Sequence, residues 1–525
     1  MTMAEANNTA IVPVEDVGDV ENLPKAENDD TGGDDNEGDE DATTVENKKC
    51  CSTFRFGGNV DAQGYALVTV ARGGIIMSNI FLSTAFISLA SDSAGCPADT
   101  DADECENKVY GFRPSSLITM IAVVSGVLSA CLLPVIGAVM DYTPHRRKAG
   151  ICSALFLTAV QGLQIWLDES TWFPMAIFQA LNAFVYMVQV MTVYAYLPDI
   201  GRATGPKRMT WYSAIFTMIQ FSSQVAFLII NIALRLALGL GEVTAAQVSQ
   251  GISVVWLCVT FIPAWRKMPH VEALQKKPEN KNLLVIGFSQ NWKTAKGINR
   301  YYGSGLRWFL LAVVFAEAGA NAFTVVSVTF MVEVLGMDGN QVGIVFLITL
   351  LSTIPGSKLG EIISQKTCPI TSWKINLVTF SLITVAGVFV LTGEERQTII
   401  YVFGILWGLM LGWFYPLQNV VFTMSLPKGH DSELSGFYTY CRSILTWLPP
   451  LIFTVMNESG LHMKWGLLSL VIFLFIGLVF LQLMAPWEEV LQEAKDKDKM
   501  AMFVRMVSQI NLNLEIENEG KIADE

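Results

Sequence analysis

Apolar residues come in blocks that follow one another from about residue 63 to residue 485. An α-helix needs about 20 apolar residues to cross a bilayer core. The blocks predict spans at 63–90, 115–140, 148–167, 172–197, 209–236, 247–264, 307–335, 341–357, 372–391, 398–424, 433–456 and 464–485. Several neighbours are joined by only a few residues, as in antiparallel helical hairpins. The expected fold is an all-α membrane protein of twelve transmembrane helices. A polar segment divides them six and six. This gives an N-terminal tail at 1–58, a first bundle at 59–264, a linker at 265–306, a second bundle at 307–486 and a C-terminal tail at 487–525.

An even division prompts a search for an internal repeat. LVTVARGGIIMSNIFLS in the first span aligns with LAVVFAEAGANAFTVVS in the seventh. Pro134 precedes Gly137-x-x-x-Asp141 after the second span, and Pro355 precedes Gly356-x-x-x-Gly360-Glu361 after the eighth. YAYLPDIG ends the fourth span and FTMSLPKGH the tenth. Three matches in one order predict two pseudo-symmetric six-helix bundles.

Composition agrees with a membrane chain. Hydrophobic residues make up 52% of it and charged residues 16%, against about 25% charged in soluble proteins. The net charge of −13 is concentrated in the N-terminal tail, where DDTGGDDNEGDEDATTVEN lacks the apolar surface to fold. With no basic aromatic surface, nucleic acid is excluded as a partner; the lipid bilayer is the expected one, around a monomer. No signal-peptide pattern is expected at the start. Cys50-Cys51 behind Lys48-Lys49 forms a candidate lipidation pair, with chance proximity as the alternative.

Charge along the loops sets the orientation. His145, Arg146, Arg147, Lys148, Arg202, Lys207, Arg208, the linker, Lys358, Lys366 and Lys428 fall on one side, called here the basic end. Asp99, Asp101, Asp103, Glu104, Asp168, Glu169, Glu242, Glu394 and Glu395 fall on the other, the acidic end. The positive-inside rule makes the basic end cytosolic and puts both termini there.

Of the nine cysteines, Cys131, Cys152, Cys258 and Cys441 lie in apolar runs and are expected in the core. Cys96 and Cys105 flank an acidic loop, as a disulfide or as two free thiols. The four histidines (His145, His270, His430, His462) have no metal-ligand spacing, and neither a P-loop nor a nucleophile elbow is present. No enzyme activity, cofactor or metal is expected.

The chemistry lies in two places. The first is Gly137-x-x-x-Asp141-x-x-x-x-Arg146-Arg147 between the second and third spans. A glycine near the membrane exit lets helices approach closely, and a carboxylate beside basic residues can lock a conformation. The second is a set of charged residues deep in spans, which default to function because they are expensive there. Arg72 and Glu317 occupy equivalent places in the two repeats with opposite sign. They are expected to pair with each other across a cavity or to bind the two ends of a zwitterion; a structural ion pair is the plain alternative. Arg442 is a further anchor and a partner for Glu317. With no sequence neighbour to hold it ionised, Glu317 is the candidate coupling carboxylate for protons. Asn79, Asn182, Gln189, Asn321, Gln418 and Asn419 lie on cavity-lining spans, as solute ligands or as interhelical glue. Gly73, Gly74, Gly404, Gly408 and Gly412 read as close-packing surfaces.

The Gly137–Arg147 segment resembles the gating motif of the major facilitator superfamily, with Thr143-Pro144-His145 in place of the usual glycine. The second copy is degenerate: Glu361 is shifted by one position and the basic pair is missing. LPVIGAVMDYTPHRR, AYLPDIG and SGFYTYCRSILTWLPPLIF resemble the vacuolar effluxer branch, the autophagy-linked amino-acid permeases. That resemblance implies alternating access and amino-acid efflux from a vacuole. The first span departs from it, carrying Ala71-Arg72-Gly73-Gly74 where the branch has a polar Asp-x-Ala-Asn-Ser-like run. A plasma-membrane carrier of another small solute, or a receptor or scaffold, are the competing expectations.

Overall fold

The computed structural model describes residues 56–96, 107–197, 199–200, 206–271, 283–301, 304–425 and 431–492. Residues 1–55 of the N-terminal tail, the Cys50-Cys51 pair among them, and Cys105 lie outside them. The helices are α1 (Val60–Ala94), α2 (Leu117–Tyr142), α3 (Arg146–Leu163), α4 (Trp172–Tyr194), α5 (Pro206–Leu238), α6 (Glu242–Lys267), α7 (Leu283–Tyr301), α8 (Ser304–Glu333), α9 (Gly339–Lys366), α10 (Pro369–Val390), α11 (Gln397–Ser425), α12 (Asp431–Ser443), α13 (Leu448–Glu458) and α14 (Met463–Gln482). Local chemistry fixes their ends. The Asn59 side chain accepts from Ala62 N to start α1, and Gly95, at φ 70°, ends it. Asp338 and Gln341 form a reciprocal capping box at the start of α9.

Eleven of these helices are long and apolar enough to cross a membrane, among the described residues. The remaining span is α12 and α13 together. A continuous helix was expected over 433–456, but residues 444–447 form turns between two short helices. Pro449 and Pro450 open α13. Two consecutive residues without an N–H cannot continue the hydrogen-bond ladder of the preceding helix, and they fit the first turn of a new one. The result is two pseudo-symmetric bundles of six spans, the first in α1–α6 and the second in α8–α14.

The linker contains a helix of its own, α7, held under α2. A side chain at Gly287 would collide with the Pro134 carbonyl. Within the second bundle α9 and α11 pack backbone to backbone: a Cβ at Gly408 would run into Thr349 O and one at Gly412 into Thr353 O. The glycine ladder is therefore a packing surface, as its spacing implied. Leu155, Ile177, Val255, Val259 and Leu382 are all more than half exposed, a lipid-facing belt that water would not tolerate. The protein is an integral multi-pass membrane protein. That belt also corrects the cysteine expectation: Cys131, Cys152 and Cys258 are exposed and only Cys441 is buried. In a bilayer an apolar run has a lipid face as well as a core face. Cys96 is disulfide-bonded.

Candidate functional site

Arg72, Glu317 and Arg442 stand twelve residues after Val60, thirteen after Ser304 and eleven after Asp431. At about 1.5 Å per residue, each is roughly 16–20 Å along its helix, near the middle of a bilayer core. Arg72 and Glu317 are 6% and 2% exposed. They do not pair with each other, one of the arrangements their repeat positions suggested. Glu317 Oε1 instead accepts from Arg442 Nε at 3.0 Å and from its terminal nitrogen at 2.6 Å. Asn321 Nδ2 donates weakly to the same oxygen at 3.4 Å. Of the two arginines named for it, Glu317 thus pairs with Arg442 and not with Arg72. Its Oε2 is buried without a hydrogen-bond partner among the described residues.

Tyrosines surround both arginines. Arg442 lies over the rings of Tyr415 (6.0 Å to the centroid) and Tyr438 (5.7 Å). The Tyr415 hydroxyl meets Asn321 Oδ1 at 3.5 Å, and that of Tyr438 donates to Asn419 Oδ1 at 3.2 Å. Arg72 lies over Tyr186 (5.9 Å) and Tyr194 (5.4 Å), and its Nε donates to the Tyr186 hydroxyl at 3.4 Å. It makes no ion pair among the described residues. Tyr194 is close enough to Arg72, Arg442 and Glu317 to feel all three charges. Desolvated cation–π contacts contribute about 2 kcal/mol or more, but a ring face supplies no net negative charge.

These tyrosines were not singled out from the sequence, although a signal exists. Glu317 and Asn321, Tyr415 and Asn419, and Tyr438 and Arg442 are each four residues apart, and Tyr186 and Tyr194 eight. Such spacings stack side chains on one helix face. The other polar candidates divide. Gln189 accepts from Ser153 Oγ and ties α3 to α4. Asn182 reaches only Gln179 at 3.5 Å, on its own helix. Asn79 Oδ1 and both polar atoms of Gln418 lack hydrogen-bond partners among the described residues.

Two contacts close the acidic end between the bundles. In one, Arg235 from the end of α5 pairs with Glu242 at the start of α6 and, at 3.5 Å, with Asp338 at the start of α9. Gly339 N donates to Glu242 at 3.0 Å. In the other, the end of α13 docks on the start of α2. Asn457 Nδ2 donates to Ser115 Oγ (2.7 Å) and Ser116 Oγ (2.9 Å), and the Thr119 and Thr454 hydroxyls share a bond of 2.6 Å. Glu458 accepts from Arg113 N (2.6 Å) and pairs with Lys108 (2.8 Å). Burial works against the Glu458 charge, but the Lys108 ammonium and the Arg113 and Ser116 donors outweigh it and hold the carboxyl below the usual glutamate range.

The motif at the basic end works within the first bundle. Gly137 lets α2 meet Met191 of α4. Arg146 is buried, donates to Ala195 O (3.0 Å) and pairs with Asp199 (3.1 Å). Arg147 donates to Trp265 O at 2.9 Å. Asp141 lies in the last turn of α2 and its side chain is outside the described set. The described partner of the basic pair is thus Asp199, from the AYLPDIG segment. The ion pairs of Lys108 with Glu458 and of Arg235 with Asp338 join the two bundles at the acidic end.

The family model described as Vacuole effluxer Atg22 like matches residues 60–495. Autophagy-related protein 22 from Cryptococcus neoformans var. neoformans serotype D is 22% identical over 281 residues, for strain JEC21 and strain B-3501A alike. That alignment covers 50% of this chain and 48% or 50% of the relative, so the chain spans about half the length of the curated relatives it matches. Among solved structures, the inward-open xylose transporter XylE from E. coli matches at a TM-score of 0.55 and 10% identity, covering 82% of this chain and 98% of XylE. The human organic anion transporter MFSD10 matches at 0.52 and 12%, covering 81% and 98%. These likenesses show the major facilitator fold.

Proposed function

The chain belongs to the Vacuole effluxer Atg22 like family, and from that premise we propose that it is a secondary-active carrier moving amino acids out of a vacuole-type compartment by alternating access. The observation that carries this reading is the charge cluster at mid-span, with Arg72 contributed by the first bundle and Glu317 and Arg442 by the second. A bundle that only had to stay folded would be as stable or more so with apolar residues at these positions. Charges kept at such depth between two bundles serve a solute that passes between them.

The acidic-end contacts support the rest of the proposed cycle. With that end held shut by Arg235, Asp338, Asn457 and Glu458, a solute reaches the cluster from the basic end, which positive-inside logic makes cytosolic together with both termini. Rocking the bundles would break these contacts and admit solute from the lumen. Protons are the candidate driving ion and Glu317 their candidate carrier, in which case release of Arg442 accompanies protonation. The domain plan keeps the boundaries drawn from the sequence, and the working unit is a monomer.

Uptake of labelled amino acids by proteoliposomes of the purified chain, with and without an imposed proton gradient, tests this. Saturable uptake raised by the gradient supports the proposal in full. Uptake indifferent to the gradient removes proton coupling; uptake of another solute class alone replaces the cargo. Binding without movement would turn the protein into a receptor.

A further inference from the structure

We infer that Arg72 is the anchor for a carboxylate on the transported solute, so that the cargo class is carboxylate-bearing. This rests on the carrier reading and goes beyond it, because it assigns the recognised group and the residue that recognises it. The fixed charges at this one place do not balance. Two arginines and one glutamate meet at mid-span, Arg72 and Glu317 buried and Arg442 partly so, and the glutamate is committed through Oε1 to Arg442 and Asn321. Arg72 has ring faces and the hydroxyls of Tyr186 and Tyr194 in place of an anion. The guanidinium of an arginine is always protonated, so this site cannot shed its surplus positive charge. A solute carboxylate supplies the missing charge and fits the planar fork of donors.

Packing around α1 holds the guanidinium where it is. At Gly73 a Cβ would lie 2.5 Å from Ser223 Oγ, and at Gly74 2.7 Å from the Trp256 ring. Ser223 Oγ and Trp256 Nε1 both donate to Val70 O, at 2.7 and 3.0 Å. The turn that carries Arg72 is therefore pinned to α5 and α6 and presents a fixed donor set. If the solute also bears an ammonium, Glu317 Oε2 is the acceptor without a partner. Both ends of a zwitterion can then be received with the Glu317–Arg442 pair intact.

Thermal protection of the purified full-length chain by matched acids and amides provides the test: leucine against leucinamide, alanine against alaninamide, lactate against lactamide. The acid is expected to protect at a concentration at least about tenfold lower than its amide, the worth of one charge-assisted hydrogen bond or more. Arg72→Gln removes that preference and Arg72→Lys retains part of it. Equal protection by acid and amide, or a preference for the acid that survives Arg72→Gln, overturns the assignment. Should Arg72→Gln fail to fold, the acid–amide comparison on the unaltered chain decides alone. Exchange of the protecting solute in proteoliposomes separates the two readings. Exchange confined to amides, sugars or amines keeps the carrier and discards the carboxylate anchor. Neither protection nor exchange by any of them removes the carrier reading and the anchor with it.

Discussion

Glu317 and Arg442 make opposite demands on stability and on function. Removing one partner leaves the other charge buried alone, at a cost of about 3–5 kcal/mol. Glu317→Ala and Arg442→Ala are each expected to lower the unfolding temperature of the purified chain markedly. The double variant Glu317→Leu/Arg442→Met keeps the volume without the charges and is expected to regain stability, but not solute exchange. Recovery of both in the double variant would show a packing bridge and nothing more. At the acidic end Glu458 gives a second expectation, read from pH. Its folded-state carboxyl titrates below its usual range, so its contribution is complete above the unfolded glutamate pKa of about 4.3 and fades only as pH falls through the lower folded value. The destabilisation caused by Glu458→Gln should therefore be equal at pH 7.5 and pH 5.5 in thermal unfolding. A difference already lost at pH 5.5 would contradict the ion pair with Lys108.

Helices, at the next scale, are held by close approach. A side chain at Gly408 meets the backbone carbonyl of Thr349, which cannot swing aside as a flexible side chain could. Gly408→Val should cost about 1–3 kcal/mol through overpacking, read as a lower yield of monodisperse protein and a lower unfolding temperature. The apolar blocks and the glycine spacing made this level of structure largely legible. Blocks of about 20 residues have one reading in a membrane chain, and the break in the eleventh span was visible in Pro449-Pro450, though not weighed there. Partners between helices were less legible. Depth in the span was enough to name Arg442 beside Glu317, but the pairing of Arg146 with Asp199 joins residues 53 positions apart. The exposure of Cys131, Cys152 and Cys258 was likewise hidden, because apolar runs do not say which face meets lipid.

The whole molecule is two bundles joined at the acidic end around a buried charge cluster, and the proposed cycle requires that junction to open and close. Thr119 and Thr454 offer a way to stop it. Their Oγ1 atoms are 2.6 Å apart across the junction, close to the roughly 2.05 Å of a disulfide. The most direct measurement is counterflow of a labelled amino acid in proteoliposomes of the Thr119→Cys/Thr454→Cys variant, oxidised and then reduced. Exchange is predicted to be abolished by the cross-link and to return on reduction to the level of the equally reduced parent chain. Exchange that continues undiminished through a fully formed cross-link would contradict alternating access through the acidic end.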